Sequence, residues 1–109
     1  MMCGVVVREL VLDGELLRVL ADPVRAALVR ALAAEPLCTC HLVELTGARQ
    51  TNVSNHLRVL REAGLVEARP AGRYTYYRLR PDRLLGLAGQ LGELAKAAGQ
   101  ASEVRRPCP

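Results

Sequence analysis

The segment "ARQTNVSNHLRVLREAG", residues 48–64, decides the fold that we predict for this chain. Val53, Leu57 and Leu60 recur at spacings of three and four residues, which predicts a helix with one apolar face. Gly64 follows directly and predicts a left-handed helix end. The segment before it, "CTCHLVELTG", predicts a short helix that Gly47 closes. Two such helices across a tight turn indicate a helix-turn-helix.

The flanking segments extend this unit to a winged helix-turn-helix. Upstream, Asp13 and Asp22 are predicted helix caps, and Pro23 suits a first helical position. Downstream, "LVEAR", "PAG" and "RYTYYRL" predict a strand, a turn and a strand, which form the hairpin called the wing. The fold class is therefore mostly α with a small β-hairpin.

A leucine seam follows Pro81 and indicates a homodimer through terminal helices. The alternative is packing of this helix against the chain's own core, and three glycines weaken the helix prediction. We expect one domain, residues 1–109, with a core at 12–80, a dimerisation helix at 81–104 and a flexible tail at 105–109. The seam consists of Leu84, Leu87, Leu91 and Leu94.

The positive charge of the chain is concentrated in its middle third. The net charge is +4, and the stretch from Arg49 to Arg83 holds eight arginines against Glu62, Glu67 and Asp82. Such a surface suits a polyanion, above all nucleic acid, although a merely solvated arginine-rich face is the alternative.

The composition also bounds the compartment and the role of the cysteines. The apolar run near the N-terminus has only three valines before Arg8, too few for a signal peptide or a membrane span, so we expect a cytoplasmic protein without a membrane partner. In a reducing compartment the four cysteines are expected to be free thiols, metal ligands or redox groups rather than structural disulfides.

The polar face of the helix in residues 48–64 is the predicted reader of double-stranded DNA. Asn and Arg make bidentate contacts to base edges, and Ser and Thr reach bases or phosphates. His56 lies at the edge of the apolar stripe, where a packed histidine is the alternative. The wing arginines would follow the phosphate backbone. The predicted interface comprises Arg49, Gln50, Thr51, Asn52, Ser54, Asn55, His56, Arg58, Arg69 and Arg73.

Cys38 and Cys40 form a Cys-x-Cys pair of soft ligands just before that reader. On a regular helix, residues two apart point about 200° away from each other. We therefore expect that the helix start must unwind before both sulfurs bind one ion. An ion that deforms this helix would have a mechanical route to DNA affinity. Two small buried cysteines are the alternative interpretation.

These segments together resemble the ArsR/SmtB family of winged-helix, metal-sensing repressors. The resemblance covers about residues 16–79 and rests on "LADPVRAALVRAL", "LCTCHL", "TNVSNHLRVLREAGLV" and "GRYTYYRL" in the family's order. It implies a homodimer that binds an inverted-repeat operator, represses a resistance operon and releases the operator when a toxic ion binds.

The resemblance also frames the choice of ion. "LCTCHL" has His41 where the family's "LCVCDL" has aspartate, and Val43 stands where some arsenite sensors have a third cysteine. Another thiolate, Cys3 or Cys108, would complete the site, while His41 is an extra ligand or a hydrogen-bonded residue. Three thiolates suit arsenite or antimonite, whereas four would suit Cd(II), Pb(II) or tetrahedral zinc. The zinc site that other members carry on the C-terminal helix lacks its histidines here.

Among the candidate inducers we expect arsenite first, because "LCTCHLVELTGA" resembles the sequence of actinobacterial arsenical-resistance repressors. A Cd(II)/Pb(II)-type sensor and a thiol redox-sensing repressor are the regulatory alternatives. A thiol-disulfide enzyme would be a different class of protein. The predicted pattern lacks the βαβ context of thioredoxin-like motifs, so we do not expect an enzyme.

Overall fold

The structure, a computed structural model, describes residues 12–109 and contains five helices and three strands in that range. Cys3 lies outside the described residues. The elements in chain order are α1 (Gly14–Ala21), α2 (Pro23–Ala34), β1 (Leu37–Cys38), α3 (Thr39–Thr46), α4 (Gln50–Glu62), β2 (Val66–Ala71), β3 (Tyr74–Leu79) and α5 (Asp82–Gly99). No described helix is long and apolar enough to cross a membrane.

Both helices of the N-terminal pair begin at the predicted aspartate caps. The carboxylate of Asp13 accepts the Leu16 N–H at 3.1 Å, and that of Asp22 accepts the N–H groups of Val24 and Arg25 at 2.9 and 3.1 Å. These bonds satisfy amides that a helix start otherwise leaves without partners. In α2, Pro23 occupies the predicted first turn.

One leucine-rich core lies between the helices and the sheet. Val53, Leu57 and Leu60 of α4 are all buried, which confirms the predicted apolar face. They pack in one cluster with the other buried apolar residues, Leu16, Val19, Leu28, Leu32, Leu37, Leu42, Ala63, Leu65, Val66 and Leu87. The core thereby fixes which face of α4 remains outside.

The helix-turn-helix of α3 and α4 turns at Gly47, whose φ of 72° is in the left-handed region that favours glycine. The Gly47 N–H donates to the Val43 carbonyl at 2.9 Å, and the Ala48 N–H donates to Thr46 Oγ1 at 3.2 Å. Gly64 ends α4 with a φ of 77°, as predicted.

The wing is part of a three-stranded antiparallel sheet in the order β1-β3-β2. The sequence predicted only the hairpin, and it placed the turn at "PAG". In the structure Pro70 pairs with Thr75 inside the ladder, and the turn is at Gly72 and Arg73. Proline is tolerated at Pro70 because β2 is an edge strand that need not donate on its outer side.

The third strand, β1, corrects the predicted start of α3. Leu37 and Cys38 pair with Tyr77 and Tyr76 of β3. Cys38 has extended backbone angles and is the N-cap of α3, so the helix includes Cys40 but not Cys38. Sequence periodicity does not reveal a strand of two residues, because two positions are too few to show alternation.

Helix α5 ends at Gly99 rather than continuing to residue 104, and its glycines do not interrupt it. The predicted seam divides along its length. Leu87 is buried in the chain's own core and Leu84 packs against that core, whereas Leu91 is 45% exposed and Leu94 is partly buried. The C-terminal half of the seam is thus the part left uncovered within one subunit.

Burial predicts which leucines stabilise the fold. Leu28 is 0% exposed and Leu45 is 64% exposed. We expect Leu28→Ala to lower the free energy of unfolding by about 2–5 kcal/mol, because truncation of a buried leucine loses apolar contacts and leaves a cavity. Urea unfolding measures this value. The same substitution at Leu45 is the matched control and should cost less than about 1 kcal/mol; equal losses at both positions would contradict the core described above.

Candidate metal centre and nucleic-acid interface

The two sulfurs of the Cys-x-Cys pair lie on one side of the chain, at the junction of β1 and α3. Within residues 12–109, one group of at least three potential ligands is found: Cys38 Sγ, Cys40 Sγ and a ring nitrogen of His41 lie within 4.8 Å of one another. All three groups can bind a soft or borderline ion. The cluster therefore offers two thiolates and one imidazole to a single ligand.

This geometry overturns the expectation that the helix must unwind. The angle of about 200° applies to two residues of the same helix. Here Cys38 is in extended conformation and only Cys40 is helical, so the change of backbone conformation between them turns both sulfurs to the same side. The pair is preformed by the strand-to-helix transition.

His41 holds the buried member of the pair in place. Its Nδ1 accepts the Cys38 N–H at 3.2 Å and lies 3.1 Å from Cys38 Sγ. A neutral His41 that accepts this backbone bond carries its proton on Nε2. The sequence suggested an extra ligand or a hydrogen-bonded role for His41, and in this structure the ring makes the hydrogen bonds.

The two thiols differ in acidity because they share a hydrogen bond. The pKa of Cys38 is lowered, first by the hydrogen bond from Cys40 and further by the backbone N–H groups of His41 and Cys40. The pKa of Cys40 is raised by the same bond, by desolvation and by the charge of a Cys38 thiolate. Cys38 is thus the sulfur that ionises first, although its side chain is largely covered, with 4% exposure.

A cavity of about 300 Å³ adjoins these thiols and extends to both parts of the predicted DNA interface. Gln50, the first residue of α4, and Arg73, at the wing turn, line it together with Cys38 and Cys40; Thr39, Tyr74, Thr75 and Tyr77 complete the lining. A ligand in this cavity would contact the two sulfurs, α4 (the predicted reading helix) and the wing at the same time.

One row of residues across the sheet also joins the thiols to the wing. Cys38 of β1 is paired with Tyr76 of β3, and Tyr76 is paired with Arg69 of β2. The Tyr76 ring lies 6.3 Å from that of His41, between ring centres. The sequence does not reveal this neighbourhood, because the register that brings Tyr76 beside Cys38 depends on β1.

The predicted reading face of α4 is accessible. Seven of the predicted DNA-binding positions are exposed at or near this helix: Arg49, Gln50, Thr51, Asn52, Ser54, Asn55 and Arg58. The amide and guanidinium groups among them can reach the base edges of a major groove, and the first-turn amides of α4 can meet a phosphate.

His56 has a different environment from that face. It is partly buried, with Nδ1 3.2 Å from Arg25 Nη1 and Nε2 3.9 Å from the Asp22 carboxylate. These partners belong to the start of α2, so the placement favours the packed histidine over the phosphate contact. Sequence spacing could not decide this, since His56 sits at the boundary of the apolar stripe.

The wing arginines are exposed and gather around one carboxylate. Glu67 lies 3.4 Å from Arg69 and 3.7 Å from both Arg78 and Arg80, while Arg73 occupies the turn. Exposed ion pairs of this kind contribute little stability. They bring Arg69, Arg78 and Arg80 together as one cluster of positive charge on the wing.

Helices α3 and α4 with the flanking helices and the three-stranded wing define a winged helix-turn-helix protein. Comparison with known proteins agrees with this class. Residues 22–68 match the bacterial regulatory protein, arsR family. The chain is 37% identical over 80 residues to the "Transcriptional repressor SmtB homolog" of Synechocystis sp.. This match covers 73% of this chain and 61% of that protein.

Solved structures give the same result. The crystal structure of a "Possible transcriptional regulator for arsenical resistance" is 39% identical, with a TM-score of 0.66 over 85% of this chain and 100% of that chain. The homodimeric winged helix-turn-helix domain Mb0332 from Mycobacterium bovis, solved by NMR, is 25% identical, with a TM-score of 0.62 over 85% of this chain and 86% of that chain. The chain belongs to the ArsR family.

Proposed function

We propose that this chain is a transcriptional repressor whose operator affinity falls when trivalent arsenic, or antimonite in its place, binds the thiols of Cys38 and Cys40. The observation that carries the proposal is the preformed cluster of two sulfurs and the His41 ring beside the reading helix and the wing. Membership of the ArsR family supports the proposal that the chain binds DNA. The similarity to a possible regulator for arsenical resistance supports the proposal that it responds to arsenic.

The number of sulfurs determines which ion fits. Each As–S bond forms as a thiol proton leaves with a hydroxyl of arsenous acid as water, so a fully sulfur-bound centre needs three thiols. The described residues bring two together, and Cys108 is free and exposed beyond α5. Cys108 or Cys3 therefore supplies the third sulfur in this proposal. Recruitment of both would create the four-thiolate site that suits Cd(II) or Pb(II).

The sheet supplies the route from the ligand to the DNA interface. Binding of arsenic removes the thiol protons, so the bonds between Cys38, Cys40 and the His41 ring cannot persist unchanged. His41 faces Tyr76, and Tyr76 is paired with Arg69 across the wing. A shift of His41 and Tyr76 therefore moves the wing arginines relative to α4. This route replaces the predicted helix unwinding.

A homodimer suits the same function. The similar M. bovis domain is homodimeric, and Leu91 and Leu85 of α5 remain exposed in one subunit. Burial of these side chains against a second copy would place two reading helices on an inverted repeat, as two-fold symmetric repressors do. The chain would act in the cytoplasm, where its operator is.

Arg58 tests the reading helix. We expect Arg58→Ala to weaken operator binding by about 1–3 kcal/mol, because a bidentate contact to a guanine edge is lost. Gel shifts with the operator measure the affinity, and arsenite affinity should stay unchanged. Arg30→Ala removes an equally charged, exposed arginine of α2 as the control. Equal effects of the two substitutions would mean that only overall charge matters.

The cysteines test the sensor. We expect Cys38→Ser and Cys40→Ser each to bind the operator normally but to respond less than twofold to arsenite, whereas the wild type should lose about 5- to 150-fold in operator affinity, the usual range of allosteric coupling. Cys3→Ser and Cys108→Ser, made singly, identify the third sulfur. Separate titrations with Cd(II) and peroxide test the alternative inducers. A normal arsenite response of both Cys38 and Cys40 variants would disprove the sensor site.

Tyr76 tests the route through the sheet. Tyr76→Thr keeps a strand-forming residue but removes the ring beside His41, so we expect arsenite binding to persist while its effect on operator affinity drops by about tenfold. Fluorescence anisotropy of labelled operator with and without arsenite measures the ratio. Leu45→Ala, at a 64% exposed position that does not line the cavity beside the thiols, is the control and should keep the full ratio. An unchanged ratio in Tyr76→Thr would exclude this route.

A further inference from the structure

Arg83, at the start of α5, binds groups on two other helices. Its Nε donates to Asp13 Oδ2 at 3.1 Å, and its Nη2 donates to Glu15 Oε1 at 2.8 Å and to Asp13 Oδ1 at 3.3 Å. Its Nη1 donates to the Ala63 carbonyl. One guanidinium thus joins the start of α1, the start of α5 and the end of α4.

The Ala63 contact is significant because Ala63 is the C-terminal cap of the reading helix. Carbonyls in the last turn of a helix have no partner within the helix, and the helix dipole makes that end attractive to a cation. Ala63 itself is buried, although its neighbours Glu62 and Gly64 are exposed. Arg83 therefore fixes the end of α4 opposite to the end that enters the DNA interface.

Asp13, the main carboxylate partner of Arg83, is itself held by further hydrogen bonds. Asp13 caps α1, and its own N–H donates to Gln90 Oε1 of α5 at 2.9 Å. The backbone bond to Leu16 and the contacts with Arg83 keep the pKa of Asp13 low, so the carboxylate is charged at neutral pH. The start of α1 is accordingly attached to α5 at two points, Gln90 and Arg83.

We propose that Arg83 is a positioning residue that sets the placement of α4 relative to α1 and α5, and through it the distance between the two reading helices of the dimer. This inference rests on the proposed operator-binding dimer. In such a dimer α5 lies at the subunit boundary, so an element fixed to α5 is fixed relative to the second subunit. Half-site spacing follows from that distance.

The planar guanidinium is required because its donors point in fixed directions to three acceptors at once. A lysine has the same charge but one compact ammonium that cannot span Asp13, Glu15 and the Ala63 carbonyl together. Arg83→Lys therefore separates the positioning role from the effect of charge on DNA affinity. Asp13→Asn keeps a helix-capping side chain and removes a negative charge, which by electrostatics alone would strengthen DNA binding.

The experiment measures affinity for three DNAs: the two-half-site operator, versions with the spacer changed by one base pair, and a single half-site. We expect both variants to bind the natural spacing about tenfold more weakly, a typical size for the coupling between contacting residues. Binding to the altered spacings should fall less, so that spacing preference is lost. Affinity for the single half-site should stay within about twofold of the wild type.

Arg30→Lys is the matched control, since Arg30 is an exposed arginine of α2 that contacts neither Asp13 nor the Ala63 carbonyl. It should keep the wild-type spacing preference. Thermal unfolding verifies that each variant is folded, and Glu15→Gln replaces any variant that is not. Wild-type spacing preference in the folded variants would overturn the role of Arg83. A wild-type protein that binds no two-half-site DNA would instead refute the proposed function.

Discussion

The pairing of β1 with β3 is the constraint on which the thiol site depends. Two backbone pairs, Leu37 with Tyr77 and Cys38 with Tyr76, hold Cys38 in extended conformation immediately before α3. Because Cys40 is already helical, the sulfurs turn to one side, and because β3 is a wing strand, the site is part of the wing. A Cys-x-Cys pair inside a regular helix would have neither property.

The same pairing places Cys38 at the start of α3, where its thiol becomes more acidic than that of Cys40. Backbone N–H groups at the start of α3 and the Cys40 thiol stabilise a thiolate at Cys38, while the Cys40 pKa is raised. In the proposed sensor, Cys38 would therefore bind a thiophilic centre first and Cys40 second. The His41 ring contacts the Cys38 sulfur through Nδ1 at 3.1 Å.

Two sets of contacts define a thiol region and an anchoring region of the molecule. On one side, Cys38, His41 and Tyr76 connect the ligand site to the wing. On the other, Arg83 and Asp13 connect α4 to α1 and α5. Helix α4 meets the first region at Gln50 and the second at Ala63. In the proposed function, ligand would act on one end of α4 while α5 holds the other.

Much of the fold could be predicted because its helices are specified by local patterns of residue types. The aspartate caps of α1 and α2, the apolar stripe of α4 and the glycine that ends it were all visible as residue types at set spacings. The wing turn was misplaced, since Pro70 suggested a turn although an edge strand accepts proline. The extent of α5 was overestimated because its leucine periodicity carries no signal for the helix end at Gly99.

The sequence by itself determined the class of protein, the apolar and exposed faces of α4 and the presence of a soft-ligand pair, since each depends on residues close together in the chain. Tertiary structure alone decided the rest. It placed His56 against Asp22 and Arg25, put Leu87 in the core, and set Tyr76 beside Cys38 and Arg83 beside Ala63. These contacts join residues far apart in sequence, so their geometry arises only when the strands pair and the helices pack.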